Sequence, residues 1–203
     1  MAVVEPVVRS RTIFSTEPLH RFTIDEYHSM INAGILDEDD KVELLEGYLV
    51  ETTPKNPPHR IATYSTREEL RNIVPNGWFV DSQEAITLSV SEPEPDVFIV
   101  RGKQRDYAER HPGPEDIAIV IEVSDATLQR DRVTKKRVYA EAGIPVYWII
   151  NLIDDQIELY SAPYGSTTEP DYEIRQTYRR EETIPVEIDG NIIGHLAIEL
   201  LLP

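Results

Sequence analysis

The sequence predicts an α/β (α+β) fold in which a central mixed β-sheet is flanked by helices. Its most apolar segment, Ile117 to Val123, is a β-branched run typical of a strand that is buried on both faces. A helical segment and a second apolar strand, Val146 to Ile150, follow within about 35 residues, which indicates a βαβ-like unit with some parallel pairing. The length of 203 residues predicts one domain, with a motif-bearing region at about 22–160 and a strand-rich extension at 161–203.

Caps, apolar periodicity and breaker residues define the individual elements. Thr23 and Glu26 form a capping box for the first helix, and Ser124 or Asp125 is the expected N-cap of the third helix, whose apolar positions include Val133. The predicted helices are Ile24–Asn32, His59–Ile73 and the segment that ends at Gly143. The predicted strands are Lys41–Val50 bent at Gly47, Trp78–Val80, Ala85–Val90, Asp96–Val100, Ile117–Val123, Val146–Ile150, Gln156–Ser161, Tyr172–Tyr178 and Thr183–Ile188.

Composition excludes several classes of protein. The chain has no cysteine, so disulfides, thiolate metal sites and cysteine nucleophiles are excluded. A formal net charge of −17 argues against general affinity for nucleic acid, so any DNA-binding surface must be local. The longest apolar runs have the length of strands, and the apolar N-terminus is broken by Glu5 and Pro6 and lacks a basic leader. We therefore expect a cytoplasmic protein that is not embedded in a membrane.

Two carboxylates at strand ends are the strongest functional signal. Asp96 opens the apolar run that reaches Val100, and Glu122 lies near the end of the run that begins at Ile117. An ionised carboxylate in a buried strand is costly unless it is paired or bound to a metal. Oxygen ligands are the ones that Mg²⁺ and Mn²⁺ prefer. Together, Asp96 and Glu122 predict a shared site for a hard divalent cation.

The order of motifs resembles that of the Uma-two family, a bacterial group in the PD-(D/E)XK nuclease superfamily. The matching segments are Phe22–Tyr27, Glu43–Gly47, Pro58-His59, Pro95-Asp96, Glu122–Ser124, Asp131–Lys135, Tyr139–Gly143 and Tyr147-Trp148, so the likeness covers most of the chain. The resemblance implies a restriction-endonuclease-like fold and metal-dependent hydrolysis of DNA phosphodiesters, with Mg²⁺ or Mn²⁺ as the cofactor.

The same resemblance assigns roles to individual residues. Asp96 corresponds to the aspartate of the Pro-Asp motif and Glu122 to the acid of the (D/E)XK triplet, with Glu43 and the carbonyl of Val123 as further metal ligands. Ser124 departs from the pattern, because it stands where the triplet lysine is expected. The resemblance supplies Lys135, on the following helix, as the relocated cation. His59 is typical of the family, and Tyr139 either packs in the core or supports Lys135.

Alternatives remain open for several of these residues. A charge run such as Arg130–Arg137 is most often a solvated helix face, and Asp131 with Lys135 can form an ordinary surface pair. This run holds five of the 20 Lys and Arg residues and is also the best candidate for a local DNA-facing patch. A homodimer is expected, since many nucleases pair two active sites. The competing functions are a non-cleaving interaction or regulatory module, favoured by Ser124 and the acidic charge, and a hydrolase of a small phosphorylated substrate.

Overall fold

A six-stranded mixed sheet forms the centre of the molecule in the computed structural model, which describes residues 19–37, 39–164 and 169–203. The strands are β1 (Val42–Leu45), β2 (Tyr48–Glu51), β3 (Trp78–Asp81), β4 (Val97–Arg101), β5 (Ile117–Ser124), β6 (Val146–Asn151), β7 (Gln156–Tyr164), β8 (Asp171–Arg179), β9 (Thr183–Ile188) and β10 (Asn191–Ala197). The helices are α1 (Ile24–Asn32), α2 (Pro57–Ile73), α3 (Leu128–Arg130), α4 (Lys136–Glu141) and α5 (Ile198–Leu201), with a π-helical turn at Asp131–Lys135 and 3₁₀ turns at Gln104–Tyr107 and Pro114–Asp116.

The sheet order is β3-β4-β5-β6-β7-β8, and only the central pair β5 and β6 is parallel. This pair is the predicted βαβ unit, since the crossover between the two strands contains α3, the π-helical turn and α4. All eight residues of β5 are buried, as the unbroken apolar run of that segment predicts. The mixed sheet flanked by helices is therefore confirmed.

Both faces of the sheet are covered, and alternate residues of each strand point to opposite cores. Val97 and Ile99 pack on one face with α2, the β9–β10 hairpin and α5. Phe98 and Val100 pack on the other face with the helices of the crossover and with Ile86. The C-terminal extension, which was predicted to be strand-rich and to end in an apolar run, ends in a short helix that closes the first core.

The crossover helix contains one turn wound as a π-helix, which the apolar pattern did not predict. A π-helical turn closes i to i+5 bonds and therefore shifts the faces of a helix relative to an α-helical pattern. Val133, expected in the core, is 44% exposed, whereas the charged side chains of Asp131 and Lys135 are buried. The surface-pair interpretation of Asp131 and Lys135 is therefore wrong. Neither Ser124 nor Asp125 is the N-cap, since that position belongs to Thr127, which makes no side-chain capping bond.

The β1–β2 hairpin turns at Glu46 and Gly47, both of which have positive φ, at 51° and 81°. A two-residue hairpin loop of this kind favours glycine because the left-handed region is strained for residues with a Cβ. A Cβ on Gly47 would also lie 2.7 Å from Arg21 Cβ and 3.0 Å from the carbonyl oxygen of Phe22. The turn at Gly47 fixes the register in which β1 carries Glu43 opposite Val50.

The predicted strand Ala85–Val90 is wrong. The segment is irregular, although Ile86 and Leu88 are buried, and its amides bond to loop carbonyls such as that of Pro93 at 3.0 Å. Prolines donate no hydrogen bond to a neighbouring strand, so Pro93 and Pro95 prevent a regular ladder beside this segment. Among the residues that the structure describes, no helix is long and apolar enough to cross a membrane.

Candidate active site

Asp96 and Glu122 lie side by side across two antiparallel strands. Val97 pairs with Ile121 in the antiparallel β4–β5 register. The residue before Val97 therefore lies opposite the residue after Ile121, which sets Asp96 opposite Glu122. The Val123 amide donates a hydrogen bond of 2.9 Å to Asp96 Oδ2, which fixes this arrangement. Both acids are buried, with exposures of 5% and 4%. The sequence prediction that the two strands bring these acids together agrees with this geometry.

Glu122 accepts two hydrogen bonds on one oxygen from residues of the crossover helix. Lys135 Nζ lies 2.9 Å and Tyr139 Oη 2.6 Å from Glu122 Oε1. Burial is the largest cause that raises the pKa of Glu122 to about 8, and the nearby acids Asp96, Asp131 and Glu43 add to it against the opposing effect of Lys135. An additional positive charge beside Glu122 would therefore strongly stabilise its ionised form.

Lys135 is a buried cation between two strands that are distant in sequence. Its Nζ lies 3.1 Å from Glu43 Oε2 on β1, in addition to the contact with Glu122 on β5. Burial by itself lowers the pKa of Lys135, but Glu122, Glu43 and Asp131 outweigh that effect, so its pKa is raised. The π-helical turn directs this side chain inward. The helix thereby places an ammonium group 2.9 Å from Glu122, the residue that the resemblance assigns to the acid of the triplet.

Asp96 is held as a carboxylate by His59 and Lys55. His59 Nε2 lies 3.1 Å from Asp96 Oδ2, and Lys55 Nζ lies 3.3 Å from Oδ1. Burial alone would raise the pKa of Asp96, but these partners and the amide of Val123 lower it below its usual value. His59 occupies the first turn of α2, where the side chain of Asn56 caps the helix by accepting from the His59 amide at 3.0 Å. His59 thus contacts the predicted site directly.

Glu43 reaches the same cluster from β1. Its carboxylate is 2% exposed, and its Oε1 has no hydrogen-bond partner among the described residues. Burial, followed by the charge of Glu43, raises the pKa of the neighbouring Glu94. A buried carboxylate oxygen without a donor is costly. Together with the excess of acids over cations around Glu122, this oxygen fits a site that takes up a divalent cation.

These groups line one cavity of about 390 Å³. Its wall includes all three predicted acids as well as Lys135, His59 and Val123. Cations from separate segments also line it, namely Lys41, Lys55 and Arg130. Arg130 Nη1 donates to the carbonyl oxygen of Glu51 at 2.9 Å, so this side chain is held across the end of β2. The cavity therefore combines an acidic floor with a local basic lining.

The run Arg130–Arg137 does not form one basic surface. Lys136 and Arg137 are each paired with a carboxylate at 2.6 Å, from Asp171 and Glu46 respectively. Arg132 Nε donates to Glu158 at 3.0 Å, on the other side of the crossover. Glu158 is itself fully buried and also accepts hydrogen bonds from Asn151, Tyr160 and Arg175. The cations of this run that line the cavity are Arg130 and the buried Lys135.

Asp131 and Lys55 belong to the site but were not recognised from sequence as site residues. Ser124, in the triplet position, is fully buried and donates to Asp131 Oδ2 at 2.7 Å, and Thr127 donates to the same oxygen at 2.6 Å. Burial is the main cause that raises the pKa of Asp131. The sequence signals for Asp131 were its place in the matching segment Asp131–Lys135 and its spacing of four residues from Lys135. Lys55 lies in a proline-rich loop without periodicity.

A different group of side chains has the tightest arrangement of potential metal ligands. Among the described residues, the one set of three whose ligand atoms all lie within 4.8 Å of one another is His28, Glu92 and His111. It lies outside the predicted site. In the predicted site the acids are paired with cationic or imidazole side chains. Glu43 and Glu122 contact Lys135, and Asp96 contacts His59 and Lys55.

Comparisons with known proteins agree with the motif order. The solved structure of "a putative nuclease belonging to DUF820" from Anabaena variabilis ATCC 29413 is similar in fold, with a TM-score of 0.64, 17% identity, and coverage of 89% of this chain and 97% of that chain. No curated protein matches the chain. The family model described as "Uma2: Putative restriction endonuclease" matches residues 24–193. The chain therefore belongs to the Uma2 family.

Proposed function

We propose that this protein is a metal-dependent endonuclease that hydrolyses DNA phosphodiester bonds. Its family model is described as "Putative restriction endonuclease", and this membership supports a nuclease-like function. The observation that supports the catalytic proposal most is the buried ammonium of Lys135, 2.9 Å from Glu122 and 3.1 Å from Glu43. Lys135 offers the cation that the triplet lacks at Ser124.

The metal-binding role falls to Asp96, Glu122 and Glu43, with the carbonyl of Val123 as a further oxygen ligand. When bound, Mg²⁺ or Mn²⁺ polarises the scissile phosphate and lowers the pKa of a water nucleophile. The protein orients its own ligands. His59 and Lys55 keep Asp96 ionised, and Tyr139 fixes one oxygen of Glu122. Mutations that remove such supporting bonds typically reduce metal affinity or activity by about 10- to 100-fold.

Lys135 neutralises charge as the phosphate is attacked. An ammonium that is already desolvated and fixed in position stabilises developing negative charge without reorganising. Its raised pKa keeps Lys135 protonated at neutral pH, so in this proposal it acts as a cation and orients the water instead of accepting its proton. Glu122, whose pKa is about 8, releases a proton when a metal binds.

DNA approaches through the basic lining of the cavity. Lys41, Lys55 and Arg130 line it on an otherwise acidic protein of net charge −17. Phosphate contacts of this kind give a binding constant that falls with salt, by a slope of about 0.9 per phosphate neutralised. Replacing Arg130 with Gln is therefore expected to weaken DNA binding for all sequences alike and to reduce that slope by about one.

Cleavage assays test the proposal. Supercoiled and single-stranded DNA are incubated with Mn²⁺ or Mg²⁺ and wild type, Asp96→Asn or Glu122→Gln, and each variant is expected to lose activity by at least about 100-fold. Asp189→Asn is the matched control, because Asp189 is an exposed turn residue with φ of 50° that pairs with Arg101 at 2.8 Å. Unchanged activity in both site variants would refute the assignment.

Metal titration separates binding from cleavage. Calorimetry in buffers of different ionisation enthalpy is expected to detect proton release on Mn²⁺ binding to wild type and its loss in Glu122→Gln. Metal binding that depends on Glu122, in a protein that cleaves no nucleic acid, would favour the non-cleaving module. Turnover of small phosphodiesters alone would favour the small-substrate hydrolase.

A further inference from the structure

A second cluster of ligand-bearing side chains lies outside the candidate active site. It joins three separate segments: His28 from α1, Glu92 from the irregular segment before β4, and His111 from the loop before β5. His28 Nε2 lies 2.9 Å from both oxygens of Glu92, and His111 Nδ1 lies 3.6 Å from Glu92 Oε2. We propose that these three side chains form a binding site for a transition-metal dication of the Zn²⁺ class, distinct from the proposed Mg²⁺ or Mn²⁺ site.

The distances suit a small tetrahedral ion. Two ligands of Zn²⁺ at bonds of about 2.0 Å are separated by about 3.3 Å in a tetrahedral arrangement. The observed separations of 2.9 and 3.6 Å lie on either side of that value. Small rotations of His28 and His111 are then enough to accommodate the ion, since both imidazoles are partly exposed, at 40% and 46%.

The donor set selects the class of metal. Two imidazole nitrogens and one carboxylate oxygen are ligands of Zn²⁺, Ni²⁺ or Co²⁺, whereas Mg²⁺ prefers oxygen alone. Three protein ligands leave a coordination position for water. The cluster borders an open cavity of about 650 Å³ that His28 and His111 both line, so an ion can enter from solvent.

The central carboxylate is already oriented by a second partner. Glu92 is 3% exposed, and Thr87 Oγ1 donates to its Oε2 at 2.6 Å. Metal-binding carboxylates commonly have such a supporting hydrogen bond, which fixes their orientation. The buried Glu92 therefore supplies a fixed ligand, and the two histidines adjust to the ion.

A bound ion would clamp three chain segments at one point. The Glu92 amide donates to the carbonyl oxygen of Leu44 at 2.7 Å, so the cluster is tied to β1, one residue from Glu43. The ion thus links α1 and the His111 loop to the strand that contributes to the active-site cavity. Because the ion binds the folded protein, it is expected to raise the melting temperature.

Zinc binding is tested with a protein in which the candidate active site has been disabled. Asp96→Asn/Glu122→Gln protein, stripped with EDTA, is titrated with ZnCl₂ in excess Mg²⁺ by calorimetry. One Zn²⁺ per chain and an increase in melting temperature are expected. Adding His28→Gln or His111→Gln to this protein is expected to weaken Zn²⁺ binding by about 100-fold. Mutation of a residue that only supports a metal ligand already weakens binding by about 10- to 100-fold.

The matched control is His20→Gln, because His20 is an exposed histidine near Glu26, at 3.9 Å, and lies outside the cluster. It is expected to leave the affinity unchanged. Substitution of Co²⁺ gives a readout independent of activity and stability, since imidazole ligation at low coordination number produces visible absorption bands. Zinc affinity or Co²⁺ absorption that survives both His28→Gln and His111→Gln would overturn the proposal. So would the absence of stoichiometric Zn²⁺ binding, in which case the cluster is an ion-paired contact only.

Discussion

Replacement of Lys135 by Met tests the active-site proposal most directly. The side chain keeps a similar length but loses the ammonium that lies 2.9 Å from Glu122 and 3.1 Å from Glu43. Removing one partner of a buried ion pair typically costs about 3–5 kcal/mol, because the remaining charges lose their compensation. We therefore expect the free energy of unfolding of the metal-free Lys135→Met protein to fall by about that amount.

Metal binding and turnover are expected to change in opposite directions. Lys135 shares the carboxylates of Glu122 and Glu43 with the proposed cation, so its removal relieves a like-charge repulsion and tightens Mn²⁺ binding. The rate of cleavage at saturating Mn²⁺ is expected to fall by about 10²- to 10³-fold, as when one preorganised electrostatic partner is lost. A residue with only a structural role would not produce this divergence.

The measurements are urea unfolding in EDTA, Mn²⁺ titration, and single-turnover DNA cleavage. Lys103→Met is the control, since Lys103 is exposed and remote from the cavity. Where Lys135→Met alone fails to fold, Glu122→Gln/Lys135→Met leaves one fewer unpaired carboxylate and is expected to be the more stable protein. Cleavage at the wild-type rate with weakened Mn²⁺ binding would refute the reasoning.

Three further predictions concern other residues. Tyr139→Phe removes a 2.6 Å hydrogen bond to Glu122 of the proposed site and is expected to reduce cleavage by about 10- to 100-fold while circular dichroism shows an intact fold. Burial would raise the pKa of Glu158, but its arginine and tyrosine partners lower it from 4.5 to about 2, so it stabilises the fold by up to about 3 kcal/mol above pH 5. That contribution is lost as the pH falls through the folded pKa, and Glu158→Gln should flatten urea midpoints measured between pH 5 and 2. Gly47→Ala should destabilise more than Gly34→Ala, by about 1–3 kcal/mol in urea unfolding, since both glycines have positive φ but only Gly47 lacks space for a Cβ; equal losses would contradict the close-approach argument.

Strong local patterns predicted most of the sheet. The unbroken apolar runs of β4 and β5 identify these segments as buried strands, because burial on both faces of a sheet favours apolar side chains at successive positions. The capping box at Thr23 is also present, with the Glu26 carboxylate accepting from the Thr23 amide at 2.9 Å. The strand prediction for Ala85–Val90 failed because the apolar residues of this segment are buried without a neighbouring strand.

Contacts between distant segments were not predictable in the same way. Lys55 reaches Asp96 from a loop, and His28 meets Glu92 and His111 across 64 and more residues of sequence. No regular spacing in the sequence connects such residues. Their proximity follows from how the loops pack, and the sequence alone displays only the residue types.

In the proposed site, Lys135 takes the place of the lysine that is missing at Ser124. Ser124 shares a strand face with Glu122, and it is fully buried and bonded to Asp131 at 2.7 Å. A lysine at 124 would have to displace that bond in a space already filled by the crossover helix. The π-helical turn instead brings a lysine to Glu122 from the crossover helix, because Asp131 and Lys135 are both buried in this turn. The cation near Glu122 thus comes from the helix, and the strand position that it would otherwise occupy holds a small side chain that anchors the turn.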